Sequence, residues 1–164
     1  MKYYVIAGEP SGDLHGSKLM RGIRHNDPEA SFRFSGGDRM AEVGGAENML
    51  YHYKQMSFFG FVQVAMNLRT IFRQIDDVKA DIEGFNPDVI ILIDYPAFNL
   101  RIAKWAKAKG IRVYYYIAPK VWAWKERRVK QLRKYVDRLY TIFPFETEYF
   151  RGHGIEPTFC GNPL

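Results

Sequence analysis

The chain has a single cysteine, Cys160, among 164 residues, so no internal disulfide can form and an oxidising compartment is not needed for folding. Long apolar runs are also missing. The stretch from Phe85 to Leu100 comes nearest to a membrane span, but Asp88 and Asp94 interrupt it well short of the roughly 18 apolar residues required. The opening Met1-Lys2-Tyr3-Tyr4-Val5-Ile6-Ala7-Gly8-Glu9 turns acidic before the apolar core of an export signal could form, so it reads as a strand. A cytoplasmic protein, or one on the cytoplasmic face of a membrane, is therefore expected. CxxC, HExxH and D-x-D patterns are absent and the 4 histidines are scattered, so no dedicated metal site is expected. Neither GxGxxG nor a P-loop occurs, so nucleotide binding does not follow from motif alone.

What is present is apolar and aromatic. With 47% hydrophobic residues, including 12 Phe, 11 Tyr and 3 Trp, the chain can offset its ordering entropy, which excludes disorder; its length predicts one domain. The net charge of +6 is unevenly spread: Arg101 to Tyr140 holds 13 basic and 2 acidic residues, net +11, while the remainder sums to −5. Such regional basicity points to a surface or a site rather than to general solubility.

Short runs rich in β-branched and aromatic residues predict strands at 2–7, 31–35, 88–93, 112–117, 138–142 and 157–160. Helical spacing predicts helices at 13–24, 61–83, 99–109, 125–135 and 145–152, with a short turn near 39–42. Asn86-Pro87, Gly110, and Gly152 with Gly154 supply stop signals. Alternating strands and helices predict an α/β, Rossmann-like, doubly wound and mainly parallel sheet.

In such sheets ligands bind beyond the carboxyl ends of the strands. Three loops lie there. The first, Ala7-Gly8-Glu9-Pro10-Ser11-Gly12-Asp13-Leu14-His15-Gly16, offers glycines for close backbone approach, the Ser11 hydroxyl, helix amides suited to a phosphate or sugar oxygen, and the carboxylates of Glu9 and Asp13. That Asp13 merely caps the helix stays open. In the second, Ile90-Ile91-Leu92-Ile93-Asp94-Tyr95-Pro96-Ala97-Phe98-Asn99, four apolar residues deliver Asp94 to a strand end, where a general base could take a proton from a sugar hydroxyl; a helix-capping role is the alternative. The third, Ala118-Pro119-Lys120-Val121-Trp122-Ala123-Trp124-Lys125-Glu126-Arg127-Arg128, sets two tryptophans two residues apart among cations. This suits a sugar ring or acyl chain with a phosphate, or equally base stacking on a basic stripe; a core tryptophan beside a solvated helix face is the plain alternative.

Within 58–82, Val64, Leu68, Ile71, Ile75, Val78 and Ile82 predict one core-facing stripe. Phe58, Phe61, Val62, Ala65 and Phe72 fall on a neighbouring arc flanked by Arg69 and Arg73. An apolar arc edged by arginines suits lipid or a hydrophobic partner, unless another element covers the helix.

The ordered set AGEPSGDLHG, IDYPAFN and PKVWAWKERR, followed by FPFE and CGNPL, resembles the N-terminal half of the lipid-A-disaccharide synthase family across essentially the whole chain. The resemblance implies the N-terminal, acceptor-side domain of a GT-B glycosyltransferase over residues 1–164. The C-terminal nucleotide-sugar domain would be absent from this chain and the isolated fragment inactive. It implies inverting transfer of 2,3-diacylglucosamine from its UDP derivative to the 6-hydroxyl of 2,3-diacylglucosamine 1-phosphate, without a cofactor. Asp94 would be the catalytic base. Glu9, Ser11, Gly12, Asp13, Tyr95, Asn99, Trp122, Trp124 and Arg128 would bind substrate. Phe58, Phe61, Val62, Phe72, Arg69 and Arg73 would touch an anionic membrane surface on the inner face of the bacterial inner membrane. Lys120 stands where many relatives have Ser, and Cys160-Gly-Asn-Pro replaces a more usual Gly-His-Pro. The resemblance implies no nucleic-acid partner and leaves homo-oligomerisation open. A basic nucleic-acid-binding module is the competing reading from the residues alone. A fragment that only dimerises through the apolar arc is a third.

Overall fold

The computed structural model describes residues 1–58, 61–120 and 126–163. These fall into two compact units, Met1–Asp88 and Val89–Leu164.

In the first unit β1 (Lys2–Ala7), β2 (Ser31–Gly36) and β3 (Met49–His52) lie in the order β3-β2-β1, all parallel, with Lys2 opposite Ser31 and Ile6 opposite Ser35. The helices are α1 (Pro10–Asn26), α2 (Asp38–Gly44), α3 (Tyr53–Met56), α4 (Phe61–Met66) and α5 (Leu68–Phe85). Tyr4, Val5, Ile6 and Ala7 of β1 are wholly buried, as a parallel strand covered on both faces should be. Asp81 of α5 ties this unit together at a half-buried junction. It accepts from Arg33 Nε and Nη2, each at 2.8 Å, and from the Tyr4 hydroxyl at 2.7 Å.

The long helix expected at 61–83 is broken. Asn67 departs from helical geometry (φ −113°, ψ 15°), and its side-chain amide donates to the Gln63 carbonyl at 2.7 Å, a local bond of the kind by which asparagine competes with a helix ladder. The core stripe consequently begins only in α5. Ile75, Val78 and Ile82 are buried, whereas Val64 and Leu68, expected on the core side, are 37% and 47% exposed. At the far end Asn86 adopts the left-handed conformation (φ 51°) and its N–H closes on the Ile82 carbonyl.

In the second unit β4 (Val89–Ile93), β5 (Arg112–Tyr116), β6 (Arg138–Thr141) and β7 (Thr158–Phe159) form a parallel sheet in that order. They are linked by α6 (Pro96–Ala108), α7 (Glu126–Tyr135) and α8 (Pro144–Gly152). Every residue of β4 is buried. The acid of the FPFE stretch, Glu146, is buried too, and its Oε2 accepts from the Ile142 and Phe143 amides at 3.1 Å each, which stabilises the start of α8.

Three helices begin at a proline, Pro10, Pro96 and Pro144, earlier than hydrophobic spacing alone predicts. Proline fits the first helical turn because its missing N–H would have no partner there. Asp13 therefore sits inside α1; the N-cap is Glu9.

Candidate active site

In the second unit the apolar run of β4 delivers Asp94 to the strand's carboxyl end, as expected. The chain then bends sharply: Asp94 and Tyr95 both take left-handed conformations, each with φ 45°. Two consecutive non-glycine residues there cost on the order of 1–2 kcal/mol each and persist only where neighbours hold them. The holders are visible. The Asp94 carbonyl accepts from Asn99 Nδ2 at 2.9 Å and from the hydroxyl of Tyr115. Asn99 Nδ2 also reaches the Ile93 carbonyl at 3.3 Å. Asn99 and Tyr115 are both fully buried. Tyr95, half-buried, stacks on Phe98 with ring centroids 5.6 Å apart.

The Asp94 carboxyl is half-buried, and burial pushes its pKa above the ordinary carboxylate range. Lys120, the Tyr95 amide and Arg128 oppose that shift and favour the ionised form. Lys120 follows β5, whose last residue, Tyr116, lies opposite Ile93, and Arg128 comes from the first turns of α7. The second unit thus assembles a strand-end carboxylate, two cations from the basic segment and a buried polar clasp. Burial and the Asp94 charge together push the Tyr115 phenol well above its usual value, so it stays protonated and keeps donating.

In the first unit the Gly8–Asp13 loop opens α1. Glu9 has extended N-cap geometry, Ser11 is exposed, and Gly12 is buried. The Ser11 and Gly12 amides precede Asp13, whose N–H makes the first helical bond, to the Glu9 carbonyl at 3.0 Å. The Asp13 carboxylate, only 4% exposed, turns inward. It accepts from the Gly37 and Met40 amides at 2.9 and 3.0 Å and from the Arg39 amide at 3.2 Å, fastening the start of α2 to α1. A Cβ on Gly37 would lie 2.4 Å from the Tyr53 ring and 2.7 Å from the Asp13 carboxyl, so only glycine fits this junction. The Ser57 hydroxyl closes the same region by donating to the Gly8 carbonyl at 2.5 Å.

On the apolar arc, Phe58 is half-buried, while Val62 is 70% and Phe72 46% exposed, and Arg69 and Arg73 are exposed. Met66 and Leu68 extend the exposed apolar surface beyond the expected arc. No helix among the described residues is long and apolar enough to cross a membrane. Trp122, Trp124 and the side chain of Phe61 lie outside the described residues.

Two features escaped the sequence reading. Tyr115 is the middle of three consecutive tyrosines on β5, so it faces opposite its neighbours; a buried tyrosine must find a hydroxyl partner, which was the available signal. Gly36-Gly37 at the end of β2 was the other, a glycine pair after a strand.

Parallel strands joined by helices place the chain in the Rossmann-like α/β class. It resembles the UDP-GlcNAc 2-epimerase from Methanocaldococcus jannaschii with a TM-score of 0.67 at 14% identity, covering 99% of this chain and 46% of that one. It resembles the UDP-N-acetylglucosamine 2-epimerase from Rickettsia bellii with a TM-score of 0.66 at 17% identity, covering 99% and 45%. Likeness at such low identity concerns the fold alone. Sequence carries further: the family model described as lipid-A-disaccharide synthetase matches residues 3–164, and the chain belongs to that family. The lipid-A-disaccharide synthase of Geobacter metallireducens is 41% identical over 160 residues, 98% of this chain. That of Chromohalobacter salexigens is 37% identical over 164 residues, 100% of this chain. The chain spans 41% and 42% of the length of those two relatives.

Proposed function

We propose that this chain is the acceptor-side domain of an inverting glycosyltransferase that joins two acylated glucosamines into the β-1,6 disaccharide of lipid A. The observation that carries the proposal is Asp94: a half-buried carboxylate at a strand end, held in a fixed turn and faced by Lys120 and Arg128. The 6-hydroxyl of 2,3-diacylglucosamine 1-phosphate gives its proton to the Asp94 carboxylate while its oxygen attacks the anomeric carbon of UDP-2,3-diacylglucosamine. The new C–O bond forms on the face opposite the departing group. The bond to UDP breaks, and UDP leaves with the electron pair. One base suffices, and no covalent sugar intermediate arises.

Burial raises the affinity of Asp94 for the proton, as a base requires, while the two cations favour its ionised form. The same cations suit the acceptor's phosphate. Glu9, Ser11 and Gly12 stand at the start of α1, where sugar hydroxyls could be bound, and Tyr95 and Arg128 flank the base. Trp122 and Trp124 belong to the binding set expected from the sequence; Asp13 and Asn99, expected there too, are buried with their side chains bonded to backbone groups, and we leave them out of the set. Val62 and Phe72, exposed beside Arg69 and Arg73, fit peripheral attachment to the anionic inner face of the bacterial inner membrane. UDP would be held by the part of the relatives' length that this chain does not span.

The test is acceptor-dependent UDP release by the full-length protein, with and without Asp94→Ala. Loss of about 10²- to 10⁴-fold in kcat is expected for a general base. Turnover retained in Asp94→Ala removes Asp94 from that role, and strong salt-dependent binding to generic oligonucleotides would instead favour the nucleic-acid reading.

A further inference from the structure

The left-handed pair Asp94–Tyr95 needs something to hold it, and the grip comes from outside its own loop. Tyr115 belongs to β5, where it lies in register with Leu92 of β4, two residues before the base. Its hydroxyl donates to the Asp94 carbonyl, the same oxygen that takes a hydrogen bond from Asn99 Nδ2 at 2.9 Å. Asn99 Nδ2 also reaches the Ile93 carbonyl at 3.3 Å, so the phenol and the amide converge on the backbone at the end of β4, with both side chains at 0% exposure. Neither group can reach a substrate from there. What they fix is the backbone that carries the base, and misplacement of a reacting group by about 1 Å can cost on the order of 10²-fold in rate.

We propose that Tyr115 is a positioning residue of the transfer site, holding the Asp94–Tyr95 turn in the arrangement that presents the carboxylate to the acceptor hydroxyl. This rests on the reading of Asp94 as the base. Among the described residues, the charged groups that act on the Asp94 carboxyl are Lys120, beyond β5, and Arg128, on α7, and the Asp94 charge acts in turn on the Tyr115 phenol. A phenylalanine at 115 keeps the ring and its packing but surrenders the hydrogen bond, leaving the carbonyl with Asn99 alone.

The experiment compares Tyr115→Phe, Tyr115→Leu and Asp94→Ala in the full-length protein, measuring kcat, the KM for the acylated acceptor, the pH profile of kcat and thermal unfolding. Tyr115→Phe is expected to lower kcat about tenfold with KM changed less than about twofold. The acidic limb of its profile should move to lower pH, because a loosened turn lets water reach a carboxyl whose affinity for the proton is raised by burial. Tyr115→Leu should lose little more kcat than Tyr115→Phe, since the hydroxyl and not the ring does the positioning. If Asp94→Ala is inactive but Tyr115→Phe matches the wild type in kcat, KM and pH profile, the positioning role is wrong and the base stands. If Asp94→Ala turns over normally, the base reading itself falls. Should Tyr115→Phe fail to fold, Asn99→Ser removes the other donor to the same carbonyl and carries the same expectation and the same refutation.

Discussion

Replacing Asp13 with asparagine exchanges one carboxylate oxygen for an NH₂ at a site where three backbone amides converge. Asparagine can keep its remaining oxygen toward Gly37 and Met40, which both bond Oδ1, but its NH₂ then meets the Arg39 amide donor to donor. One charge-assisted bond is lost and two become neutral. At about 1.5–3 kcal/mol for a bond to a charged group against about 1 for a neutral one, the loss is at least roughly 2.5 kcal/mol. Alanine leaves the buried Gly37 and Met40 amides without partners and should cost about 3–5 kcal/mol. For a chain of this size, about 2–4 °C of Tm per kcal/mol lowers the Tm of Asp13→Asn by at least roughly 5 °C. Urea unfolding at neutral pH measures this directly. Were Asp13→Asn to unfold within about 0.5 kcal/mol of the wild type while acceptor binding collapsed, the carboxylate would serve a ligand rather than the α1–α2 junction, and the structural reasoning would be wrong.

Asp94 should show the reverse balance between stability and activity. Its folded-state pKa is raised by burial, so the folded protein binds more protons than the unfolded one, and stability falls as pH rises from the unfolded value of about 3.9 through the raised one. Asp94→Asn, which carries no charge to desolvate, should therefore unfold at a higher temperature than the wild type at pH 7. The advantage should vanish near pH 3, while activity drops by about 10²-fold or more; an equal Tm difference at both pH values would contradict the burial argument. Asp81→Ala strips the partly buried Arg33 and the Tyr4 hydroxyl of their shared partner and should cost about 2–4 kcal/mol in urea unfolding. Replacing both ions, Arg33→Met with Asp81→Leu, should recover much of it, and a single-variant loss under about 0.5 kcal/mol would refute the junction's importance. Val62→Asp with Phe72→Asp in the full-length protein should weaken binding to vesicles containing anionic lipid by at least about tenfold, from lost apolar contact. Unchanged vesicle binding would remove these residues from membrane attachment.

How much of this was legible in the sequence depended on whether the signal was local. The run Ile90–Asp94 states both its strand and its terminal carboxylate, and the strand ends where expected, because a fully buried parallel strand must be apolar throughout. The stops at Asn86 and Gly110 were equally readable, since each sits in the left-handed region that side chains of most other types avoid. Helix starts were not. Spacing registers only the buried residues and so missed the prolines that open α1, α6 and α8. β3 was missed because all four of its residues are half-buried, which leaves no alternation to detect. Asn67 ended α4 through a single side-chain bond that a count of apolar positions cannot register. The inward turn of Asp13 depended on amides more than twenty residues away, and the role of Tyr115 on a neighbouring strand; both are facts of three-dimensional pairing.

The backbone at Asp94 also narrows which chemistry evolution could have installed there. Few side chains tolerate a left-handed conformation, and Asn, Asp and His are the ones enriched in it. Asparagine offers no basicity, and histidine would add a ring and, when protonated, a third positive charge beside Lys120 and Arg128. Glutamate, the obvious chemical substitute, has no such conformational tolerance. The shape of the turn thus selects aspartate before any substrate is considered, and a redesign that sought a longer carboxylate at this position would have to begin by straightening the chain.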